Sequence, residues 1–350
     1  MNSIKIKNRI ICGNSPVYII AEMSANHSGS LQTAKDIIYA AKEAGADCIK
    51  VQTYTPDTLT LNCNNEHFRI RGGLWNGQTL YNLYSKAYMP WEWQAELKTE
   101  ADKIGIDFFS TPFDSTSMDF LESIGIEFYK IASFEIVDIP LIKKVAATQK
   151  PVIMSTGMAT KEEIQEAVDT VYLTGNKQLA LLKCSSAYPA HSKDMNLFTI
   201  SDFAKSFGTV VGLSDHSTEN LSSIVAVAMG AKIIEKHFCI TRQSDSVDSA
   251  FSLDKVEFKN LVIQIRETEQ VLGEVSYGPA HSEKASLKFR KSIFSARNIK
   301  KGELFSTENI RVIRPSLGMH PRNYENLLGK RALRGILSGS PISEDMIDGF

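Results

Sequence analysis

The sequence predicts a (β/α)8 barrel followed by a small C-terminal domain, and three observations predict it. Eight short β-rich runs alternate with segments of helical period. A stretch rich in Gly, Ser and charge follows the last unit. Behind that stretch the chain repeats itself in two halves.

The runs are 17–22 (VYIIAE), 47–53 (DCIKVQT), 106–111 (IDFFST), 127–133 (EFYKIAS), 151–156 (PVIMST), 179–185 (LALLKCS), 209–214 (TVVGLS) and 232–238 (KIIEKHF). Near-continuous apolar runs suit parallel strands covered on both faces. Between them, Leu221, Ile224, Val225 and Ala228 form one apolar stripe of helical period, and Phe258, Leu261, Val262 and Ile265 form another. Eight units fit a closed barrel with its active site at the C-terminal strand ends. A doubly wound open sheet is the alternative. It needs no particular number of units, so eight favours the barrel. The connection 54–91 is too long for its unit and carries Gly72, Gly73, Trp75, Gly77, Tyr81, Tyr84, Tyr88 and Trp91. Such a loop is either functional or an ordered cover packed on the barrel.

The barrel is expected over residues 1–272 and a polar linker over 273–288. From 289 to 350, Arg297-x-Ile-x-x-Gly302 followed by Glu308 and Ile310 recurs as Arg334-x-Ile-x-x-Gly339 followed by Asp345 and Ile347. Each copy reads as strand, glycine turn and capped helix start, so the tail is expected to be a pseudo-twofold domain. Its core is marginal at that size, and it is expected to dock on a barrel, its own or a partner's.

Of the 350 residues, 39 are Lys or Arg and 40 are Asp or Glu. That balance argues against nucleic acid or a membrane surface as partner. There is no apolar run long enough to span a bilayer and no apolar signal core at the N-terminus. The five cysteines form no C-x-x-C pair, which suits reduced thiols in the cytoplasm.

The expected strand ends supply Glu22, Lys50, Gln52, Thr111, Lys130, Ser133, Glu135, Ser155, Thr156, Lys183, Ser185, Ser186, Ser214, His216, Glu235 and His237. His216 and His237 close consecutive runs, so both imidazoles can reach one ion. With a carboxylate they suit Mn2+, Zn2+ or Mg2+, which polarises a carbonyl or activates water. Lysines and hydroxyls suit a ligand bearing phosphate and carboxylate. A phosphate, a carboxylate and a nearby electrophile together suggest phosphoenolpyruvate condensing with an aldehyde.

The ordered motifs AEMSANH (21–27), KVQTY (50–54), FSTPFD (109–114), YKIASFE (129–135), STGM (155–158), KCSSAYP (183–189), GLSDH (212–216) and IEKHF (234–238) resemble the sialic acid synthase family. The tail resembles that family's antifreeze-like (SAF, β-clip) domain. The resemblance implies a TIM barrel that joins phosphoenolpyruvate to an amino-sugar aldehyde, releasing phosphate and working as a domain-swapped homodimer. It implies that His216 and His237 hold a divalent metal (Mn2+ or Mg2+), with Glu22 beside them. It places phosphoenolpyruvate on Lys50, Thr111, Lys130, Ser133, Ser155, Ser186 and Ser214. It places the sugar on Gln52, Tyr188, Asp248 and, from the partner's tail, Arg314. Glu22 and then Glu135 are the implied catalytic carboxylates. Ser186 stands where the N-acetylneuraminate enzymes carry Asn. Together with the stretches 72–93 and 250–254, this resembles a branch that takes a diacetamido-trideoxyhexose. The neuraminate and legionaminate precursors are the alternatives.

Overall fold

The computed structural model describes residues 3–242 and 246–350. The chain divides into two compact units, 1–273 and 274–350.

The first unit opens with an antiparallel hairpin, β1 (Ile4–Ile6) and β2 (Arg9–Ile11). Eight parallel strands then close a barrel: β3 (Tyr18–Glu22), β4 (Cys48–Thr53), β5 (Asp107–Pro112), β6 (Tyr129–Ile131), β7 (Val152–Ser155), β8 (Leu179–Cys184), β9 (Val210–Asp215) and β10 (Ile233–His237). Each pairs with its successor, and β10 closes on β3. The strands are buried nearly end to end because helices cover the outside while side chains fill the inside. Capping chemistry starts the helices on time: Thr160 and Glu163 form a capping box before Lys161–Leu173, and Asp254 and Glu257 form one before Lys255–Leu272.

The hairpin had no counterpart in the expected elements. Ile4, Ile6 and Ile11 join the main core, while Lys7 pairs with Asp102 and Asp107, and Arg9 with Asp47. Asp47 and Asp107 precede or open strands, so the hairpin covers the end of the barrel opposite the strand C-termini.

One stripe faces the wrong way. In the helix Leu221–Ala228 the buried residues are Ser222, Ser223, Ala226 and Val227, and Leu221 and Val225 are exposed. The reason lies underneath. Asp215 and Lys236 alternate out of the barrel lumen and form a fully buried ion pair at 2.7 Å. Ser223 Oγ donates to Asp215 at 2.7 Å, and Lys236 Nζ also donates to Ser217 Oγ and the Glu219 carbonyl. A buried charge pair is tolerable only when its remaining valences are met, so serines take the inner face. The second stripe is buried as expected at Phe258, Leu261 and Ile265.

In the second unit, a 3-10 helix, His281–Phe289, occupies the second half of the stretch expected to be a polar linker. Then β11 (Ser292–Ser295) pairs antiparallel with β12 (Ile310–Ile313). The internal repeat has a physical expression. The equivalent residues Ile299 and Ile336 face each other in an antiparallel bridge, each N–H donating to the other's carbonyl at 2.8 Å. Gly302 and Gly339 both take positive φ, at 81° and 80°. Arg297 pairs with Glu303, Arg334 pairs with Asp345, and Ile310 and Ile347 are both buried. The expected helix starts are only turns: residues 307–309 in the first copy and the 3-10 segment Glu344–Met346 in the second.

Candidate active site

Strand register places the ionisable residues in two neighbouring rows. Glu22 lies opposite both His237 and Lys50, and Ser214 lies opposite both Cys184 and Glu235. His216 follows β9 directly, at the level of His237 on β10.

At its centre, Lys50 Nζ donates to Glu235 Oε1 at 2.7 Å and lies 3.2 Å from Glu22 Oε2. All three side chains are buried. Burial pushes the Glu22 carboxyl up to about 7, against the pull of Lys50 and with the help of Glu235. Gln52 Nε2 donates to Glu22 Oε1 at 2.9 Å and to Ser24 Oγ at 3.0 Å, which fixes that carboxylate's orientation. Glu22 Oε2 and Glu235 Oε2 have no hydrogen-bond partner. Glu235, one of the strand-end carboxylates, had no role among the expected contacts. Its signal was its spacing, two residues before His237 on the same strand face.

Beside this group lies a cradle of donors. Lys130 Nζ donates to Ser155 Oγ at 2.5 Å and to the Ile131 carbonyl at 3.0 Å. Burial brings its ammonium down to about 8. The Gly157 N–H donates to Ser133 Oγ at 3.1 Å. A Cβ on Gly157 would stand 2.0 Å from Ser186 Oγ and 2.8 Å from Ser133 Oγ, so only glycine fits where these hydroxyls converge. The STGM motif carried that signal. Thr111 Oγ1 is buried without a partner, on the strand between Lys50 and Lys130. Glu135 ends a 3-10 turn after β6 and is half-buried, and burial raises its carboxyl to about 7 against Lys130.

The imidazoles form the third part. The rings of His216 and His237 are 5.3 Å apart. His216 Nδ1 donates to the Ser185 carbonyl at 3.1 Å, so a metal would meet this ring through Nε2. His237 Nδ1 is buried with no hydrogen-bond partner, and burial, then His216, hold this imidazole neutral, well below its ordinary pKa. Cys184 Sγ lies 3.8 Å from His216 Nδ1; against burial, the charge of the imidazolium and hydrogen bonds with His216, Ser133 and Ser186 lower the thiol to about 6, and the thiolate in turn raises His216 against its own burial. Among the described residues no set of three or more His, Cys, Asp or Glu converges on one ion position. The two imidazoles, His216 with Nε2 turned away from its carbonyl partner and His237 with an orphaned Nδ1, fit a divalent ion that would displace the His216 proton and keep its other positions open to water and substrate.

Aromatic side chains wall the imidazoles. Tyr188 stacks on His216 at 4.4 Å, and Phe251 meets His237 edge-on at 4.9 Å. Asp248 is buried and accepts from the Ala25 N–H at 3.2 Å, so it holds the turn after β3 as well as facing this region. Arg314 is exposed just after β12 in the second unit. The aromatic connection divides in function. Trp91 stacks on Phe120, Trp93 meets His27 and Tyr84 meets Tyr54, all of which is packing. A surface cleft lined by Asn64, Arg69, Gln78, Asn82 and Lys86 contains none of the strand-end groups.

Anion-binding lysines and hydroxyls beside two free imidazoles at the C-terminal face define a barrel enzyme of a known kind: the chain belongs to the NeuB family, whose model matches residues 37–277, and a SAF domain matches 290–348. It is 46% identical over 331 residues to the pseudaminic acid synthase of Campylobacter jejuni, covering 94% of this chain and 96% of that one. It is 44% identical to the pseudaminic acid synthase of Helicobacter pylori, covering 95% and 98%. The solved N-acetylneuraminic acid synthetase of Leptospira borgpetersenii in complex with citrate superposes with a TM-score of 0.74 at 33% identity, covering 83% and 96%.

Proposed function

We propose that the chain is a pseudaminic acid synthase. It condenses phosphoenolpyruvate with 2,4-diacetamido-2,4,6-trideoxy-L-altrose and water to give pseudaminic acid and phosphate. The observation that carries this reading is the gathering of Lys50, Lys130, the Ser133–Ser155–Ser186 hydroxyls and the two imidazoles on one set of neighbouring barrel strands, in a chain 44–46% identical to pseudaminic acid synthases over 94–95% of its length.

Lys130, Ser133, Ser155, Ser186 and the Gly157 N–H bind the phosphate, and Lys50 with Thr111 and Ser214 binds the carboxylate. Carbon 3 of phosphoenolpyruvate attacks the aldehyde carbon of the open-chain sugar. His216 and His237 would hold a divalent metal (Mn2+ or Mg2+), which would supply Lewis acidity toward the aldehyde oxygen. Water adds at carbon 2, the aldehyde oxygen takes up a proton as it becomes the new hydroxyl, and the C–O bond to phosphate breaks as the carbon 2 hydroxyl gives up its proton to form the ketone. Glu22, held by Gln52 and near neutrality in its affinity for protons, takes the water's proton. Glu135 is the second candidate for that role. Gln52, Tyr188 and Asp248 face the sugar.

Lys130→Ala is expected to raise KM for phosphoenolpyruvate by about 10- to 100-fold, the worth of a charged hydrogen bond, and to leave the sugar KM nearly unchanged. Lys50→Ala is expected to raise it as well and to lower kcat, because it frees two buried carboxylates. Unchanged phosphoenolpyruvate affinity in both single variants would refute the anchoring role. The acceptor is tested by phosphate release with a panel of sugars. The diacetamido-trideoxy-altrose is expected to give the highest kcat/KM. A better constant with N-acetylmannosamine, or with the legionaminate precursor, would replace this acceptor with that one.

We further propose that the second unit completes the site of a partner subunit through Arg314, in a domain-swapped homodimer. From Phe289 to Phe350 the chain carries 11 Lys and Arg against 6 Asp and Glu, in a protein of net charge −1. The tail is basic and the remainder acidic, a charge complementarity that supports this reading.

A further inference from the structure

The tip of the aromatic connection turns one residue toward the site. Around it, the Ile70 N–H donates to the Gln78 carbonyl and the Ile70 carbonyl accepts from the Gly77 N–H, both at 2.9 Å, in a hairpin closed by the Arg69–Thr79 bridge. Gly72, Gly73 and Gly77 take positive φ, and the Gly72 N–H donates to Asn76 Oδ1 at 2.6 Å. From Arg71 to Gly77 every residue is exposed except Trp75, which is half-buried. Its ring meets Tyr188 at 6.2 Å, tilted by 51°. Tyr188 in turn covers His216 and touches Phe251 at 5.1 Å. A row of rings thus runs from the imidazoles outward, and Trp75 is its outermost member.

We propose that Trp75 is a specificity-determining residue, which packs against the apolar distal end of the acceptor sugar and selects a methyl group there over a hydroxymethyl group. This rests on the acceptor reading given above. The sugar's aldehyde belongs beside His216 and His237, so the carbons furthest from it lie one ring further out, beyond Tyr188. An indole there offers a broad apolar face and no acceptor for a hydroxyl. A 6-deoxy sugar loses nothing on that face, whereas a 6-hydroxyl group loses its water without gaining a partner. Tyr84 and Trp91 are engaged in packing, Tyr81 donates to Asp57, and Tyr188 already lies on the imidazole, so discrimination at the distal end falls to Trp75.

The test compares wild type, Trp75→Ala and Trp75→Phe on two matched acceptors, the diacetamido-trideoxyhexose and its 6-hydroxy analogue. Trp75→Ala is expected to raise KM for the 6-deoxy sugar by about 10-fold, the lower end for one methyl group in an apolar pocket. The ratio of the two kcat/KM values should fall by a similar factor, KM for phosphoenolpyruvate should stay within about twofold, and Trp75→Phe should recover most of the ratio. A ratio equal to wild type in Trp75→Ala, or a joint rise of both substrates' KM, overturns the role. If wild type itself prefers N-acetylmannosamine, the acceptor reading falls and takes this inference with it. If wild type prefers the deoxy sugar and only the ratio is unmoved, the acceptor reading stands and Trp75 alone is excluded.

Discussion

Replacing His237 with alanine is expected to cut phosphate release by about a thousandfold, because polarising the aldehyde supplies several kcal/mol of barrier lowering and each 1.4 kcal/mol is tenfold. The residue is placed for this. Its Nδ1 is buried without a partner, its ring is held neutral, and its neighbour His216 would offer Nε2, because Nδ1 donates to Ser185. A neutral imidazole is the form that binds a cation. Exhaustive chelation of the wild type should produce the same loss, and added Mn2+ or Mg2+ should reverse it. In the His237→Ala variant neither treatment should change the residual rate. Metal content after dialysis gives a readout independent of turnover. Full activity of His237→Ala after chelation would remove both the metal and the role of this imidazole. Thermal melts of the variant separate loss of chemistry from loss of fold.

The second large effect concerns Arg314. Arg314→Ala alone is expected to be nearly inactive if the arginine reaches the acceptor sugar, since deleting a charged hydrogen-bond donor to a bound ligand costs about 10- to 100-fold in affinity. Subunits carrying Arg314→Ala are then mixed with subunits carrying His237→Ala. If tails act in trans, a mixed dimer holds one site with an intact barrel and an intact arginine, and activity returns to a substantial fraction of wild type. If each tail serves its own barrel, every site carries one lesion. Background activity from verified mixed dimers rules out the exchange, and a protein monomeric by sedimentation rules out the dimer itself. Arg314 lies in a basic domain with a small separate core, Ile293 through Ile347, so the substitution at this exposed position leaves that core untouched.

Much of this was legible because barrel strands speak plainly in sequence. Residues covered on both faces must be apolar in unbroken runs, and all eight runs lie within about two residues of the observed strands. Polar residues that interrupt such runs at their ends have few places to be other than the lumen mouth. Glu22, Lys50, Lys130, Ser155, Ser214 and His237 were found that way, and all are buried; Glu22, Ser155, Ser214 and His237 lie at the C-terminal end of their strands, whereas Lys50 and Lys130 start mid-strand. The tail's repeat was legible for a similar reason. Equal glycines and isoleucines at equal spacing place Ile299 against Ile336.

What failed was the assignment of faces and partners. The stripe Leu221–Ala228 has the right period, but period does not say which side faces inward when strand residues such as Asp215 and Lys236 carry buried charge toward the helix. The hairpin Ile4–Ile11 was missed because two three-residue strands carry almost no periodic signal. The sequence by itself determined the barrel, the level at which the polar residues gather and the pairing of tail halves, since each follows from local pattern and chain order. Only the tertiary structure decided which carboxylates share Lys50, which nitrogen of His216 is free, and that Trp75 of a remote connection meets Tyr188. Those contacts depend on side-chain direction and on distances between residues up to 185 positions apart, as for Lys50 and Glu235, and no local pattern encodes them.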